Sequence, residues 1–133
     1  MRSLPFESEE TWDDGTHVVN RSLPFPYRRP PAVRSSWVTT AMVGQVSFEH
    51  LFASQRTVTE AGLKKYERGI RGQSDLPLVY AESDGTFTIG DGHHRIAAAW
   101  LRGEKSFYAR VVPPLPLSGV GTGRWMRTPG GRE

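Results

Sequence analysis

The alternation of apolar and polar residues predicts a region of mixed strands and helices that begins near Ser36. Short runs rich in β-branched and aromatic residues predict strands, and apolar residues at helical spacing predict helices. The predicted strands are 36–43, 45–52 (a short strand running into a turn), 76–82, 86–90 and 106–112, and the predicted helices are 58–70 and 93–103.

Local signals mark the ends of the first predicted helix. Thr59 is an N-cap residue, because its hydroxyl can accept a hydrogen bond from a free backbone N–H in the first turn. Leu63, Tyr66 and Ile70 then recur at helical spacing, and Gly72 is expected to end the helix.

The second predicted helix follows a hairpin. The sequence Ser-Asp-Gly at 83–85 predicts a tight turn between two strands. Ile96, Ala99 and Trp100 form the apolar face of the helix, and Gly103 is expected to end it.

The N-terminal residues, 1–35, are predicted to form a proline-rich arm, since their prolines block regular helix and central strand. Within the arm, HVVN at 17–20 predicts a short edge strand. The pentad RSLPF occurs at 2–6 and again at 21–25, and each copy is expected to dock its Leu and Phe on the core.

The predicted domain spans 36–113, and a glycine- and proline-rich tail, 114–133, follows it. By composition the tail is expected to lack regular structure. It could dock on the core or on a neighbouring subunit, and the sequence leaves both alternatives open. With 133 residues, 37% of them hydrophobic, the chain is expected to form one modest core.

The composition excludes several classes of protein. The chain has no cysteine, which excludes disulfides and thiolate metal sites. It has no apolar run of membrane-spanning length and no signal-peptide pattern, so a cytoplasmic location is expected. The net charge of +3 includes arginines clustered at 27–34 and 123–133. Solubility explains these arginines more simply than a contact to phosphates or an acidic partner.

The stretch Gly90-Asp-Gly-His-His-Arg95 leads from a predicted strand into the second predicted helix. The first N–H groups of a helix lack acceptors within it, and the helix dipole adds positive charge there. Glycine allows an anion to approach the backbone closely. The pattern therefore favours a phosphate site at Gly90, Gly92, His94 and Arg95 over a plain turn in which Asp91 caps the helix.

A dedicated metal site is disfavoured at this turn. His93 and His94 are adjacent in a predicted helix, so their side chains diverge by about a hundred degrees around its axis. His17 and His50 have no diagnostic spacing. A magnesium ion held by Asp91 together with nucleotide phosphates remains open.

Two stretches resemble the ParB/sulfiredoxin superfamily over residues 44–112. They are DGHHRIAAAWLRG followed by ARVV, and the pair Gln55 and Arg56, which is similar to a second motif of ParB-like domains. The resemblance implies an α+β fold with a small mixed sheet. It also implies that the turn at 90–95, together with Gln55 and Arg56, lines a pocket for nucleotide phosphates.

Members of this superfamily differ in activity, and the sequence departs from each of them. ParB proteins bind and hydrolyse CTP while clamping DNA, sulfiredoxins use ATP and a cysteine, a free-serine kinase has a similar turn, and some members are nucleases. Here His93 replaces the sulfiredoxin cysteine, and no helix-turn-helix module follows Val112. Gln55 stands where the kinase needs a carboxylate base, for which Glu60 or Glu49 are alternatives.

Three functions follow as hypotheses. The first is a ParB-like domain that binds the phosphates of CTP or ATP and hydrolyses or transfers them, with Asp91, His93 and His94 as catalytic residues and Asp91 on magnesium. The second is a DNA-binding protein or nuclease in which His93 or His94 is the general base. The third is a non-catalytic phage or bacterial accessory module that binds a host protein or a second copy of itself.

Overall fold

Strand pairing divides the chain into two sheets, which with a few short helices make a small mixed α+β domain. The computed structural model describes residues 2–32, 35–69 and 75–114. In chain order the elements are β1 (Phe6–Thr11), β2 (His17–Ser22), α1 (Ser35–Val38), β3 (Met42–Ser47), a 3-10 turn (Phe48–His50), β4 (Leu51–Phe52), β5 (Thr57–Thr59), α2 (Glu60–Lys64), β6 (Leu78–Ala81), β7 (Phe87–Asp91), α3 (His93–Leu101) and β8 (Ser106–Val112).

The larger sheet has five strands in the order β3-β8-β6-β7-β4. β6 and β7 form an antiparallel hairpin, and α3 then returns the chain so that β8 pairs parallel to β6. Ile96 and Ala99 of α3 are buried against residues of this sheet, including Val79 and Ile89, which are fully buried. The corner between β7 and α3 therefore lies at one end of the sheet, directly beside the main core.

The smaller sheet has three strands in the order β1-β2-β5. The stretch 17–20 was predicted to be an edge strand, and this prediction is wrong because β2 is the central strand. Asn20, Arg21 and Ser22 pair with Thr59, Val58 and Thr57 on one side, while β1 pairs with β2 on the other. β1 was not predicted, since the five polar residues that follow Phe6 carry no apolar alternation.

The two RSLPF copies dock differently on the core. In the first copy Leu4 is buried and Phe6 is exposed, whereas in the second copy Phe25 is buried and Leu23 is partly buried. Phe25 stacks on Phe48, with ring centroids 5.8 Å apart. The prediction that each copy docks both residues is therefore wrong for Phe6.

The predicted strand 36–43 is wrong in its first half, which forms α1. Trp37 donates from Nε1 to the carbonyl of Pro113 at 2.9 Å, and this contact holds the segment against the end of β8. The hydroxyls of Thr39 and Thr40 donate to carbonyls three residues earlier and close the turn. Tertiary and local side-chain bonds thus override the strand preference of β-branched residues.

Two further element boundaries differ from the prediction. Residues 48–50 form a 3-10 turn, because the Ser47 hydroxyl accepts from the Glu49 N–H and ends β3. Of the predicted helix 58–70, the described residues 58–69 are α-helical over Glu60–Lys64, and residues 57–59 pair with β2 instead. The predicted cap is confirmed: Thr59 Oγ1 accepts from the Gly62 N–H at 3.1 Å. Ile70 and Gly72 lie outside the described residues.

The C-terminal half of the domain follows the sequence prediction. β6, α3 and β8 fall within the predicted ranges, β7 extends one residue beyond its range to Asp91, and Gly85 adopts a φ of 89° in the predicted turn. Gly103, at a φ of 87°, follows the last residues of α3 as expected. Apart from Pro114, the predicted tail lies outside the described residues.

No helix in the described ranges combines the length and the apolar character that crossing a membrane would require.

Candidate functional site

The corner between β7 and α3 depends on Gly92. This residue has a φ of 95°, a left-handed conformation that side chains other than glycine rarely adopt. A Cβ on Gly92 would also come within 2.7 Å of Pro77 Cβ. Backbone conformation and close packing therefore both require glycine at the start of α3.

Glycine is required at position 90 for a different structural reason. A Cβ at this position would lie 2.5 Å from Cε2 of Tyr80, whose ring covers the glycine from the neighbouring strand. The protein's own side chain thus fills the space that Gly90 leaves, so any anion at this corner meets the backbone after Gly90.

Among the described residues, no side chain caps the N-terminus of α3. Gly92 is the N-cap residue, and it makes no side-chain cap hydrogen bond. The first backbone bond of the helix runs from the Ile96 N–H to the Gly92 carbonyl at 3.0 Å. The N–H groups of His93, His94 and Arg95 therefore precede the intrahelical ladder, where the positive end of the helix dipole favours an anion.

His93 joins this corner to the loop between β4 and β5. Its Nε2 accepts a hydrogen bond from the Ser54 N–H at 3.0 Å, so the proton of the neutral ring is on Nδ1. Burial lowers the pKa of His93 to about 4; the neighbouring His94 lowers it as well, and the Asp91 carboxylate acts in the opposite direction. The Ser54 hydroxyl donates to the Ile89 carbonyl at 2.6 Å, so it is not activated as a nucleophile by the imidazole.

His94 makes the equivalent contact with the last residue of β5, the strand that follows this loop. Its Nε2 accepts from the Thr59 N–H at 3.1 Å. Burial lowers the pKa of His94, and the charges of Lys65 and Arg95 act in the same direction. Because both imidazoles accept backbone hydrogen bonds, they are neutral near pH 7 and leave the first turn of α3 less positive than the sequence indicated.

The two histidines bring together the two stretches that the sequence singled out. Gln55 and Arg56 lie in the loop held between Ser54 and Thr59, beside the first turn of α3. Gln55 donates from Nε2 to the Thr57 carbonyl at 2.8 Å. The guanidinium of Arg56 stacks over the Tyr27 ring at 4.2 Å from its centroid, and both side chains are exposed.

Arg95 extends to a different part of the molecule. Its Nη1 donates to the Asp75 carbonyl at 2.5 Å and lies 3.6 Å from the Asp75 carboxylate. Its Nη2 lies 3.7 Å from Asp91 Oδ2, and the guanidinium approaches the Tyr66 ring. Arg95 is thus paired with two carboxylates rather than aligned with His93 and His94.

Asp91 is the exposed acidic group of the corner. Its side chain is 67% exposed, and the residue pairs with Leu78 of β6 at the end of β7. Among the residues that the structure describes, no three His, Asp or Glu side chains form a group able to hold a metal. Because magnesium needs few protein ligands when phosphates complete its shell, Asp91 suits magnesium only in company with a nucleotide.

Sequence reasoning missed Ser54, Thr59 and Asp75 as partners of this corner. Two of them contact the histidines through backbone N–H groups, which every non-proline residue possesses, so no residue type marks them. They also lie 39 and 35 residues from their partners. Only the three-dimensional fold identifies such contacts.

Comparisons with protein-family models, with curated proteins and with solved structures find no match to this chain.

Proposed function

We propose that this chain is a ParB-like nucleotide-binding domain that holds the phosphates of a CTP- or ATP-type nucleotide at the corner between β7 and α3. The observation that carries the proposal is the pair of hydrogen bonds from the Ser54 and Thr59 N–H groups to His93 and His94. They hold the loop with Gln55 and Arg56 beside an uncapped helix N-terminus. A ParB/sulfiredoxin-like fold is part of the same proposal. It is supported by the order of the elements, which is a hairpin, the Gly-Asp-Gly corner, a helix and then a parallel strand.

Each group in the corner has a role in this proposal. The N–H groups that open α3 bind phosphate oxygens, and Arg56 adds a guanidinium from the opposite loop. His93 and His94 position that loop as neutral acceptors. The catalytic role predicted for them stays a prediction, because a general base acting through Nε2 would first have to release its backbone partner.

Asp91 determines how the site meets a charged ligand. An exposed carboxylate repels phosphate, whereas a magnesium ion between the two neutralises both charges. When bound, the ion would supply charge neutralisation for phosphoryl chemistry. Arg95, which neighbours Asp91 at 3.7 Å, orients this carboxylate and balances its charge.

Calorimetric titration with CTP, ATP and GTP in the presence of magnesium tests the proposal. Arg56→Ala is the decisive variant, because Arg56 is exposed and its loss leaves the fold intact. We expect nucleotide affinity to fall by about tenfold, the loss of one charge-assisted contact. Lys105→Ala is the matched control, since it removes one exposed positive charge from another part of the surface. No heat with any nucleotide, or equal losses in the two variants, would refute the proposal.

Arg95→Ala is a poorer variant than the sequence indicated. Arg95 is 16% exposed and bonds to the Asp75 carbonyl, so its removal leaves a partly buried acceptor and two carboxylates without their partner. A loss of nucleotide binding in Arg95→Ala would have two explanations: a lost phosphate contact, or a movement of the backbone at Asp75 after its hydrogen bond to Arg95 is lost. Arg56→Ala does distinguish them.

A further inference from the structure

A cavity of about 550 Å³ lies between residues 2–4, α2 and α3. It contacts α3 through Ala98, Leu101 and Arg102, in the half of the helix opposite the proposed phosphate site. All of its lining residues belong to the described part of the chain. Its volume falls in the range of about 300–1,000 Å³ that is typical of small-molecule sites.

The floor of this cavity is apolar. Leu4 and Ala98 are almost fully buried, and Leu63 and Leu101 pack beside them as partly buried members of the second core cluster. These side chains come from three segments that the fold fixes relative to one another. A hydrocarbon chain or an aromatic ring laid on them would lose contact with water, which favours binding.

The rim of the cavity is charged, with an excess of positive groups. The carboxylate of Glu60 is already neutralised, since Arg21 donates to its Oε2 from Nε at 2.8 Å and also from Nη2. The lining contains four cationic side chains and two carboxylates: Arg2, Arg21, Lys64, Arg102, Glu60 and Glu67.

Two of the cations keep their charge without a carboxylate partner in the described ranges. Arg2 donates from Nη1 to the carbonyls of Trp100 and Glu104, both at 2.7 Å, and stacks over the Trp100 ring. Lys64 is exposed and forms no ion pair with a described residue. Carbonyls and rings hold a guanidinium in place but do not cancel its charge, so an anion at this rim meets a net positive field.

From this arrangement we infer that the cavity binds a small amphipathic anion. The aliphatic or aromatic body lies on Leu4, Leu63 and Leu101, and a carboxylate or phosphate monoester at its end lies against Lys64 and Arg2. The inference does not depend on the nucleotide proposal, because the two sites share no residue.

Nuclear magnetic resonance titration of the full chain tests this inference with three probes of equal chain length: octanoate, octyl phosphate and octylamine. We expect saturable shifts of the Leu63, Ala98 and Leu101 amides with at least one of the two anions, and the stronger of these identifies the head group. Octylamine is expected to bind at least about tenfold more weakly than the preferred anion. Equal binding of octylamine, or shifts confined to other residues, would overturn the inference.

A charge reversal on the rim sharpens the test. Lys64→Glu is expected to weaken binding of the preferred anion by about tenfold, and the matched control Lys65→Glu, next to it but outside the lining, is expected to leave it unchanged. Both side chains are exposed, so both variants keep the fold. Equal effects of the two variants would mean that the anion binds only to the general field of α2, which contradicts the inference.

Discussion

The imidazole of His94 occupies the space that a side chain at Gly62 would need. A Cβ built on Gly62 would come within 2.2 Å of Cδ2 of His94. Gly62 lies within α2 and His94 in the first turn of α3, so the contact joins the two helices. It explains a glycine inside a helix, where alanine would otherwise be favoured by about 1 kcal/mol.

Gly62→Ala is therefore expected to destabilise the protein despite its better helix propensity. Displacing the imidazole costs about 1–3 kcal/mol, as in other overpacked sites, and it also weakens the bond from the Thr59 N–H. Urea unfolding of the two single variants and the double variant with His94→Ala measures the coupling. Without the imidazole, Gly62→Ala is expected to be neutral or stabilising; an equal cost in both backgrounds would contradict the assigned contact.

The buried His93 makes stability fall as the pH falls. Its pKa is about 4 in the folded protein and near 6.5 in the unfolded chain, so between these values the unfolded chain binds more protons. The contribution of His93 is complete above pH 6.5 and is lost progressively down to about pH 4, with a total of about 3 kcal/mol.

Urea midpoints measured from pH 7 to pH 4 test this dependence. His93→Gln retains an acceptor for the Ser54 N–H but does not titrate, so its curve is expected to be flatter across the same interval. The comparison uses the slope, and a uniform loss of stability in the variant does not affect it. An unchanged slope would show that other groups cause the dependence.

Arg28, which follows β2 in the chain, links this part of the protein to the larger sheet. It donates from Nη2 to Thr86 and Thr88 at 2.8 and 2.7 Å, and its guanidinium stacks on Phe52 at 3.8 Å from the ring centroid. A lysine cannot bridge both hydroxyls and stack on the ring. Arg28→Lys is expected to lower the free energy of unfolding by about 1–2 kcal/mol, while its exposed neighbour Arg29→Lys is expected to change it little. Thermal unfolding compares the two.

Removing the Asp91 carboxylate is expected to change the metal dependence of nucleotide binding. Under the proposed function, the unchanged protein is expected to require magnesium, because Asp91 would repel free phosphates. Asp91→Asn is expected to bind nucleotide without magnesium at least as well as with it. Asp13→Asn removes the same charge from the distant hairpin and is expected to keep the requirement. Calorimetry with and without a chelator measures both; a persistent magnesium requirement in Asp91→Asn would rule out this role.

The regions that the sequence predicted well have strong local signals. The hairpin at 83–85, the glycine-initiated helix from His93 and the strand from Ser106 combine turn residues with clear apolar periodicity. The signals that predict these elements are local, so they can be recognised without knowledge of distant contacts. The proximity of Gln55 and Arg56 to the helix start was predicted only through the family resemblance.

The regions that the sequence predicted poorly depend on distant partners. β1 is exposed along its whole length and is ordered by pairing with β2, while the helical turn at Trp37 depends on the carbonyl of Pro113. The side chain of Arg95 points away from His94 for the same reason, because its partner Asp75 is twenty residues away in sequence. Side-chain types placed Arg95 at the corner but did not reveal which groups it contacts.

The most direct test of the nucleotide proposal is an amide titration of the isotopically labelled protein with magnesium and CTP, repeated with ATP. We expect saturable shifts of the His93, His94 and Arg95 amides together with those of Gln55 and Arg56, on the two sides of the corner. Unchanged resonances at these five positions with both nucleotides, while the protein remains folded, would contradict it.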